Sequence, residues 1–315
     1  MDVSVLISVH NRIALTRACV DSLFATMPDN CAWELLFYDD QSTDATAEYL
    51  SSLQAHQPRV QVLRESERGW FARNNNRLAA RARGRWLLFL NNDTICLPGW
   101  FAPLYAMATK ADAGQSNAAV IGGLQVFPDR QRINHAGVVI DHRGLPSHLY
   151  EGLSAELPAA QSTREMQAVT AACWLANARR FHELNGFFEG FRNGYEDIDY
   201  CLRVRQANAQ VWYCGASRII HYGGCTSARF DHELENQALF RRRTRAHSQD
   251  DLATTVRRDG VRWPAHTIWY RGARALWTGP LVAPIAQRLL RFRMVIRLRQ
   301  KMIRLLVPSA PITRN

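Results

Sequence analysis

The sequence lacks the paired cysteines that mark a disulfide framework or a zinc site. Its seven cysteines are an odd number, stand singly, and show no Cys-x-x-Cys spacing. This pattern fits a reducing compartment, so we expect a cytoplasmic protein. Uncharged apolar runs of about 18 residues, the length that crosses a bilayer, are also missing, and no transmembrane helix is predicted.

The N-terminus lacks the basic region and the cleavage site of a signal peptide. Residues 3–7 read Val-Ser-Val-Leu-Ile. We expect this run to form a buried strand of the folded protein.

Length and composition are sufficient for a large domain with a core, alone or with an appendage. The chain has 315 residues, 47% of them hydrophobic, and a net charge of +11. Such a charge is typical of proteins with an acidic partner: nucleic acid, an anionic membrane or a phosphorylated substrate. Residues 241–315 contain 17 Lys and Arg against 3 Asp and Glu. The basic character therefore belongs to the C-terminal region.

Short apolar runs alternate with amphipathic segments up to about Trp100, which predicts βαβ units and a parallel sheet. The predicted strands are 3–9, 33–39, 60–64 and 85–91, and the predicted helices are 14–26, 43–54 and 70–83. The inner face of the first helix is predicted to carry Leu15, Ala18, Cys19, Ser22 and Leu23. Polar residues begin where each strand ends, at the sheet edge where α/β proteins bind ligands.

Beyond Trp100 the pattern loosens and indicates an added mixed sheet. Apolar runs at 118–127, 135–140 and 168–176 predict strands, the polar stretch 141–167 a mobile loop, 178–184 and 196–207 helices, and 210–222 a pair of strands. The composition becomes Arg-rich from residue 228. We therefore expect an α/β domain at 1–227 and a separate Arg-rich helical region at 228–315.

Two adjacent acids, Asp39 and Asp40, follow the second predicted strand. Helix capping explains the next residues, 42–44, because their side chains can satisfy free amides and the helix dipole. Capping does not explain the two acids at the strand end. A ligand-binding role and a structural role both stay open for them.

Asp93 follows the apolar strand 85–91, where a lone Asp is usually a turn residue. A second acidic turn on the same sheet edge would make an oxygen-rich site, which Mg²⁺ or Mn²⁺ requires. His221 ends a later strand-like run. A single His is more often a hydrogen-bonded structural residue than a ligand.

Three acids, Glu196, Asp197 and Asp199, open a predicted helix. They complement the helix dipole, and Asp199 also forms an i,i+4 pair with Arg203. The Gly-containing turn at 192–195 would aim Glu196 and Asp197 away from the helix. A carboxylate fixed there suits a general base for a hydroxyl nucleophile.

In this order and spacing, the segments resemble the family 2 glycosyltransferases, which have a GT-A fold. The matching segments are 7–12 (Ile-Ser-Val-His-Asn-Arg), 39–44 (Asp-Asp-Gln-Ser-Thr-Asp), 90–94 (Leu-Asn-Asn-Asp-Thr), 195–203 (Tyr-Glu-Asp-Ile-Asp-Tyr-Cys-Leu-Arg) and 221–224 (His-Tyr-Gly-Gly). The resemblance covers residues 1 to about 225. It implies an α/β fold: a Rossmann-like mixed sheet flanked by helices, with a basic helical C-terminal appendage.

The resemblance also implies an inverting, metal-dependent hexosyl- or deoxyhexosyltransferase that uses Mn²⁺ or Mg²⁺. Within the family, the sequence is similar to the branch that builds bacterial surface polysaccharides such as O-antigen or capsule. The implied nucleotide-binding residues are Ser8, His10, Arg12, Asp39, Asp40, Arg73, Asn74 and Asn92. The implied metal ligands are Asp93 and His221, the implied catalytic base is Asp197, and Glu196 is its neighbour.

Two positions depart from the family pattern. Asn91 stands at the first position of the D-x-D motif, so the metal would depend more on diphosphate oxygens, His221 and water. We therefore expect low metal affinity without the donor. Glu67-Arg68-Gly69 stands where many relatives have Asn-x-Gly.

The resemblance favours a UDP- or dTDP-sugar donor and a glycan or lipid-linked glycan acceptor, with no nucleic acid. We expect the acceptor contacts to come from the loops 141–167 and 224–245. Residues 281–306 interleave apolar residues with seven cations from Arg288 to Arg304. This pattern predicts a helix that lies on the anionic inner face of the cell membrane or one that packs on the catalytic domain.

Three other functions compete with this interpretation. A nucleic-acid-binding module would explain the Arg-rich region but not the acidic strand ends. A non-catalytic nucleotide-sugar-binding relative would not need both Asp93 and Asp197. A nucleotidyltransferase is disfavoured because the sequence has no glycine-rich phosphate loop.

Overall fold

The computed structural model describes residues 1–223 and 232–261. Its strands are β1 (Val3–Val9), β2 (Trp33–Asp39), β3 (Val60–Leu63), β4 (Trp86–Leu90), β5 (Thr94–Cys96), β6 (Ala118–Val126), β7 (Ile133–His135), β8 (Val138–Ile140), β9 (Pro146–His148), β10 (Thr163–Glu165), β11 (Cys173–Asn177) and β12 (Gln210–His221). Its helices are α1 (Ile13–Thr26), α2 (Thr46–His56), α3 (Trp70–Ala79), α4 (Phe101–Asp112), α5 (Pro158–Gln161), α6 (Ala178–Glu183), α7 (Glu196–Gln206), α8 (Glu233–Thr244) and α9 (Leu252–Arg258).

A mixed sheet organises the fold, with the strand order β10-β12-β6-β11-β4-β1-β2-β3. β1 is parallel to β2 and β4, whereas β11 is antiparallel to both β4 and β6. β6 therefore runs in the same direction as β4, and β12 is parallel to β6. As a result, the C-terminal ends of β1, β2, β4, β6 and β12 lie along one edge of the sheet. The predicted α/β class with a mixed sheet is confirmed.

The first half of the chain follows the predicted alternation closely. β1 and β2 have the predicted bounds, and their residues are buried except for the half-buried Ser8, because helices cover both faces of the sheet. α3 ends at Ala79 rather than at the predicted residue 83. Arg83 explains this difference, because its amide donates to Ser4 Oγ at 3.1 Å and to Glu34 Oε1 at 2.7 Å instead of to a helical carbonyl oxygen.

Two predictions for the second half are wrong. The predicted strand pair at 210–222 is the single strand β12, whose register against β6 shifts between Cys214 and Arg218. The bulge contains Gly215, and a glycine that interrupts an apolar run resembles a turn in the sequence. The predicted loop 141–167 contains β9, α5 and β10, which are three or four residues long. Elements of that length are too short to produce a recognisable period.

The described part of the predicted Arg-rich region, 232–261, belongs to the same compact unit as residues 1–223. Phe240 of α8 is fully buried, and Tyr150 and Arg164 both bond to Asp259, which follows α9. Residues 224–231, where the predicted boundary falls, and the predicted amphipathic segment 281–306 lie outside the described residues. Both therefore stay predictions. Within the two described ranges, no helix has the length and apolar character needed to cross a membrane.

Asp199 fixes α8 against α7 through a buried ion-pair network. Its side chain is 2% exposed and accepts from Arg203 Nε at 2.9 Å and from Arg243 Nε at 2.8 Å. The guanidinium group of Arg243 also lies over the ring of Phe188, 3.7 Å from its centroid. The predicted Asp199–Arg203 pair is confirmed, and Arg243 extends it to α8.

Asp199→Ala is expected to lower the free energy of unfolding by about 3 kcal/mol, because two arginines lose their buried anion. Urea unfolding followed by circular dichroism measures this loss. The control is Glu183→Ala, which removes the ion pairs of a carboxylate that is 43% exposed; such pairs contribute about 1 kcal/mol or less. Equal losses in the two variants would contradict a stabilising role for the buried network.

Candidate active site

The candidate site lies along the sheet edge where β1, β2, β4 and β12 end and where β11 begins. β1 ends before His10, β2 at Asp39, β4 before Asn91 and β12 at His221. β11 runs in the opposite direction, so its N-terminal end, preceded by Thr170, reaches the same edge. This edge is where open α/β sheets bind ligands.

Asp39 and Asp40 are buried and engaged by two arginines of the segment after β3. Asp39 accepts from the Ser42 amide at 2.9 Å and from Arg64 at 2.8 Å. Asp40 accepts from the Gly69 amide at 2.7 Å and lies 3.3 Å from Arg68 Nε. The two carboxylates therefore tie the end of β2 to residues 64–69.

The other predicted nucleotide-binding residues of β1 are next to this cluster. Ser8 Oγ accepts from Asn74 Nδ2 at 3.0 Å. His10 Nδ1 lies 2.7 Å from the Asp40 carbonyl oxygen, so this nitrogen carries the proton. Arg12 has a left-handed backbone at the N-terminus of α1, and its carbonyl oxygen accepts from the Leu15 amide.

Arg73 and Asn92 are placed differently. Arg73 lies 3.6 Å from carboxylate oxygens of both Glu65 and Glu67, so its charge is partly compensated within the protein. Asn92 donates to Thr16 Oγ1 at 3.0 Å and ties the end of β4 to α1. Nucleotide contacts of Arg73 and Asn92 stay predictions.

Asp93 and His221 lie side by side. β12 pairs with β5, which begins directly after Asp93, and the Tyr222 amide donates to the Asp93 carbonyl oxygen at 3.0 Å. His221 Nε2 is 3.3 Å from Asp93 Oδ1. Asn134 Oδ1 lies 3.1 Å from His221 Nδ1 and accepts a hydrogen bond from its N–H. The lone pair of Nε2 then faces the Asp93 carboxylate.

This pair fits a divalent cation. Within the described residues, the buried Nε2 of His221 has no hydrogen-bond partner, and its contact with Asp93 is an ion-pair distance without hydrogen-bond geometry. Two electron-rich atoms in this arrangement are stabilised by a proton or a metal ion between them. Neighbouring ligands at about 2.1 Å from an octahedral ion lie about 3 Å apart, close to the observed separation. The described ranges contain no group of three or more His, Cys, Asp and Glu arranged to hold a metal.

Asp197 is half-buried at the start of α7, and hydrogen bonds fix its carboxylate. Oδ2 accepts from Thr170 Oγ1 at 2.9 Å and from the Ala171 amide at 3.0 Å, and Oδ1 accepts from the Ile198 amide at 2.9 Å. The carboxylate is therefore oriented but reaches the surface. A general base needs both properties.

A strained turn presents Asp197 to the sheet edge. Asn193, Gly194 and Tyr195 have φ angles of 54°, 148° and 77°. Such a run costs free energy and persists only where contacts support it. Asn193 Oδ1 accepts from the Phe71 amide, and the buried Glu196 accepts from the Gly194 amide at 2.7 Å. Glu196 thus supports the turn that carries its neighbour.

Asp197 and the Asp93–His221 pair are connected through the sheet itself. The Asn91 amide donates to the Ala172 carbonyl oxygen at 2.9 Å. Ala171, the preceding residue, bonds to Asp197, and Asp93 follows Asn91 by two positions. The structure therefore brings Asp93, His221 and Asp197 together, and places Ser8, His10, Asp39 and Asp40 on the adjacent strands β1 and β2.

Sequence analysis missed five residues of this edge. Arg64 and Arg68 pair with the two acids, and Asn134, His135 and Thr170 support His221 or Asp197. The arginines gave no clear signal in the sequence, because their acidic partners lie more than 20 residues earlier in the chain. The signal for Asn134 and His135 was a polar pair that opens an apolar run.

The mixed sheet and the polar residues at the ends of its strands define an α/β domain of the GT-A type. GalNAc-T7, solved with UDP, GalNAc and Mn²⁺, superposes with a TM-score of 0.59 at 16% identity over 88% of this chain and 58% of that chain. TarS 1–349 of S. aureus superposes with a TM-score of 0.53 at 15% identity over 81% of this chain and 68% of that chain. At these identities the likeness concerns the fold.

Sequence comparison identifies the family. Residues 4–160 match the model of glycosyl transferase family 2, and the chain belongs to this family. Protein y4gI of Sinorhizobium fredii, itself uncharacterized, is 31% identical over 248 residues, which are 76% of this chain. The O-antigen biosynthesis protein RfbC of Myxococcus xanthus is 30% identical over 226 residues, which are 70% of this chain. The chain spans only 26% and 17% of the lengths of these relatives.

Proposed function

We propose that the protein transfers a sugar from a nucleoside-diphosphate sugar to an acceptor hydroxyl, with inversion at the anomeric carbon. The observation that carries this proposal is the position of Asp197 beside the Asp93–His221 pair, joined by the Asn91–Ala172 hydrogen bond. Family membership supports sugar transfer. The likeness to an O-antigen biosynthesis protein supports a role in polysaccharide assembly.

The nucleotide would bind over the ends of β1 and β2. Ser8 and His10 offer polar groups there, and Asp39 and Asp40 would face the base and ribose. Arg64 and Arg68 balance these two carboxylates, so a neutral ribose or base can bind without leaving a buried anion unpaired. We propose UDP or dTDP as the nucleotide, and the solved GalNAc-T7 complex with UDP supports this choice.

Asp93 and His221 are the residues that would hold Mn²⁺ or Mg²⁺. When bound, such an ion supplies positive charge to the diphosphate leaving group. Because Asn91 replaces an acid, these two side chains are few ligands for a tight site. We therefore expect the protein to bind the ion well only together with the nucleotide diphosphate.

Asp197 would take the proton of the acceptor hydroxyl. The Thr170 hydroxyl and the Ala171 amide hold Oδ2, so the orientation of the carboxylate is set before the acceptor binds. Direct attack of the deprotonated oxygen then inverts the anomeric configuration. This displacement requires no nucleophilic carboxylate of the protein.

The acceptor would be a glycan or a lipid-linked glycan. A cleft of about 750 Å³ lies between residues 140–144 and 241–250, within or beside the two loops from which we expect acceptor contacts. Its lining includes Arg143, Arg241, Arg242 and Arg245. Asp141, which pairs with Arg143, and Asp250 also line the cleft, so the arginines outnumber the acids by two. This excess of positive charge supports an acceptor that carries phosphate groups. Attachment of residues 281–306 to the inner face of the membrane stays a prediction.

A panel of nucleotide sugars tests the proposal. Purified protein should hydrolyse one UDP- or dTDP-sugar slowly in the presence of Mn²⁺, and EDTA should suppress this activity. Hydrolysis by water attacking from the acceptor side should release the sugar with the inverted anomer, which early NMR spectra detect before mutarotation. Release of the retained anomer, or equal hydrolysis with EDTA and Mn²⁺, would contradict the proposal.

A further inference from the structure

Two adjacent residues of β7 contact the two halves of the proposed site. Asn134 is 6% exposed, and His135 is fully buried. Successive side chains of a strand point to opposite faces, so the two residues reach different neighbours. Asn134 contacts His221, and His135 contacts the backbone of Thr170.

The contact of Asn134 determines the tautomer of His221. Asn134 Oδ1 lies 3.1 Å from Nδ1, which therefore carries the ring proton. The opposite tautomer would place a proton on Nε2, directed at the Asp93 carboxylate 3.3 Å away. That proton would occupy the position of a cation. A partner of the non-ligating nitrogen commonly fixes both the tautomer and the ring orientation of a metal-binding histidine.

The contact of His135 supports the residue that holds the proposed base. Its Nε2 accepts from the Gly137 amide at 3.2 Å and from the Thr170 amide at 3.4 Å. Burial, with smaller contributions from His148 and His221, holds the pKa of His135 well below its usual value. The ring is therefore neutral near pH 7 and can accept these two bonds. Thr170 in turn donates from Oγ1 to Asp197 at 2.9 Å.

We propose that Asn134 and His135 are positioning residues that hold the His221 lone pair and the Asp197 carboxylate in a fixed relation. Their Cα atoms are about 3.8 Å apart in one strand, so a displacement of the β7 backbone would move both contacts together. β7 is itself fixed to β6 by the pairing of His135 with Gln125. This inference rests on the proposed function for the roles of His221 and Asp197.

NMR of ¹⁵N-histidine-labelled full-length protein tests the first contact without any metal. Long-range ¹H–¹⁵N spectra should show His221 with the proton on Nδ1, and His221→Ala assigns the signal. Asn134→Leu should abolish this preference, whereas Asn134→Asp, which keeps an acceptor oxygen, should retain it. A proton on Nε2 in the wild type, or an unchanged tautomer in Asn134→Leu, would overturn the assignment of Asn134.

Calorimetry with UDP and Mn²⁺ tests the consequence. Asn134→Leu should weaken Mn²⁺-dependent UDP binding by about 10- to 100-fold, and Asn134→Asp should restore part of it. Asn117→Leu, at the opposite end of β6, controls for the loss of an asparagine side chain. If His221→Ala weakens binding and Asn134→Leu does not, the inference is wrong. If His221→Ala has no effect, the proposed metal site is wrong, and the tautomer measurement decides the role of Asn134.

His135→Gln and His135→Phe test the second contact. The glutamine oxygen can replace Nε2 as an acceptor, but the phenyl ring cannot. His135→Phe should lower kcat by about 10- to 100-fold with unchanged UDP and Mn²⁺ affinity, because a misplaced base affects the chemical step. His135→Gln should recover part of kcat. Equal kcat in the wild type and a folded His135→Phe variant would overturn the role of His135; a wild-type kcat in Asp197→Asn would instead contradict the proposed base.

Discussion

Asp197→Asn is expected to lower kcat for sugar transfer by about 10²- to 10⁴-fold, the usual contribution of a general base. The amide oxygen of Asn can still accept from Thr170 and Ala171, and only the bond from the adjacent Ile198 amide is lost, so the turn and the helix start should keep their structure. The amide cannot take a proton from the acceptor hydroxyl. Donor affinity, measured by calorimetry with the nucleoside diphosphate and Mn²⁺, should stay within about twofold of wild type, because Asp197 faces the acceptor in this proposal.

The matched control is Asp29→Asn, which changes an exposed carboxylate in the loop before β2. This variant should keep the wild-type kcat. Thermal unfolding of both variants shows whether the fold is intact. A folded Asp197→Asn variant with near-normal kcat would exclude Asp197 as the base.

Strands β1, β2 and β4 could be predicted because they are almost entirely buried and bounded by polar turns, whereas the edge strand β3 is only partly buried. The bounds of β1 and β2 match the prediction, and those of the other strands and helices in this half differ from it by one to four residues. α1 shows the remaining error: Thr16 and Val20 are fully or almost fully buried beside Cys19 and Leu23, whereas the predicted face included Leu15 and Ser22. The helix is rotated relative to its apolar stripe because Thr16 bonds to Asn92 and to the Arg12 carbonyl oxygen.

The second half was harder to predict because its elements depend on long-range pairing. β12 continues through the bulge at 214–218 since its two ends pair with the same strand, β6. A local interruption by Gly215 looks the same in sequence whether the chain turns back or only bulges. Tertiary contacts decide between these structures, and a single sequence does not contain them.

The ends of the strands supplied most of the candidate site, because parallel strands bring their C-terminal residues to one edge. The supporting residues were not accessible in the same way. Asn134 and His135 lie within a short strand whose pairing to β6 is visible only in three dimensions. Arg64 and Arg68 are arginines in a loop, where most arginines are solvated. Their partners, Asp39 and Asp40, come from a different part of the chain.

The order of contacts along the edge suggests how binding and transfer are separated. Asp93 follows Asn91 and precedes β5, where it lies beside His221 at the end of β12. Asp197 instead bonds to Ala171, which precedes the partner of Asn91 in the Asn91–Ala172 bond. Changes to the first pair should therefore affect donor binding, and a change to Asp197 should affect the chemical step. Comparing the two kinds of variant tests this division directly.

Asp93→Asn and His221→Ala are each expected to lower the Mn²⁺-dependent affinity for UDP by about 100-fold. This estimate takes the upper end of the effects seen when residues that orient metal ligands are changed, because these two side chains would bind the ion themselves. Asp93→Asn keeps the size of the side chain and removes its charge, and the Asp93 carbonyl oxygen still accepts from Tyr222. Calorimetry of UDP binding with Mn²⁺ and with EDTA measures the change.

The control for these variants is His56→Gln, which removes an exposed imidazole at the end of α2. It should leave the Mn²⁺ dependence of UDP binding unchanged. In EDTA, all four proteins should bind UDP with similar weak affinity, because the contacts of the nucleoside with β1 and β2 do not involve Asp93 or His221. If wild-type affinity is the same with Mn²⁺ and with EDTA, a metal role for Asp93 and His221 is excluded.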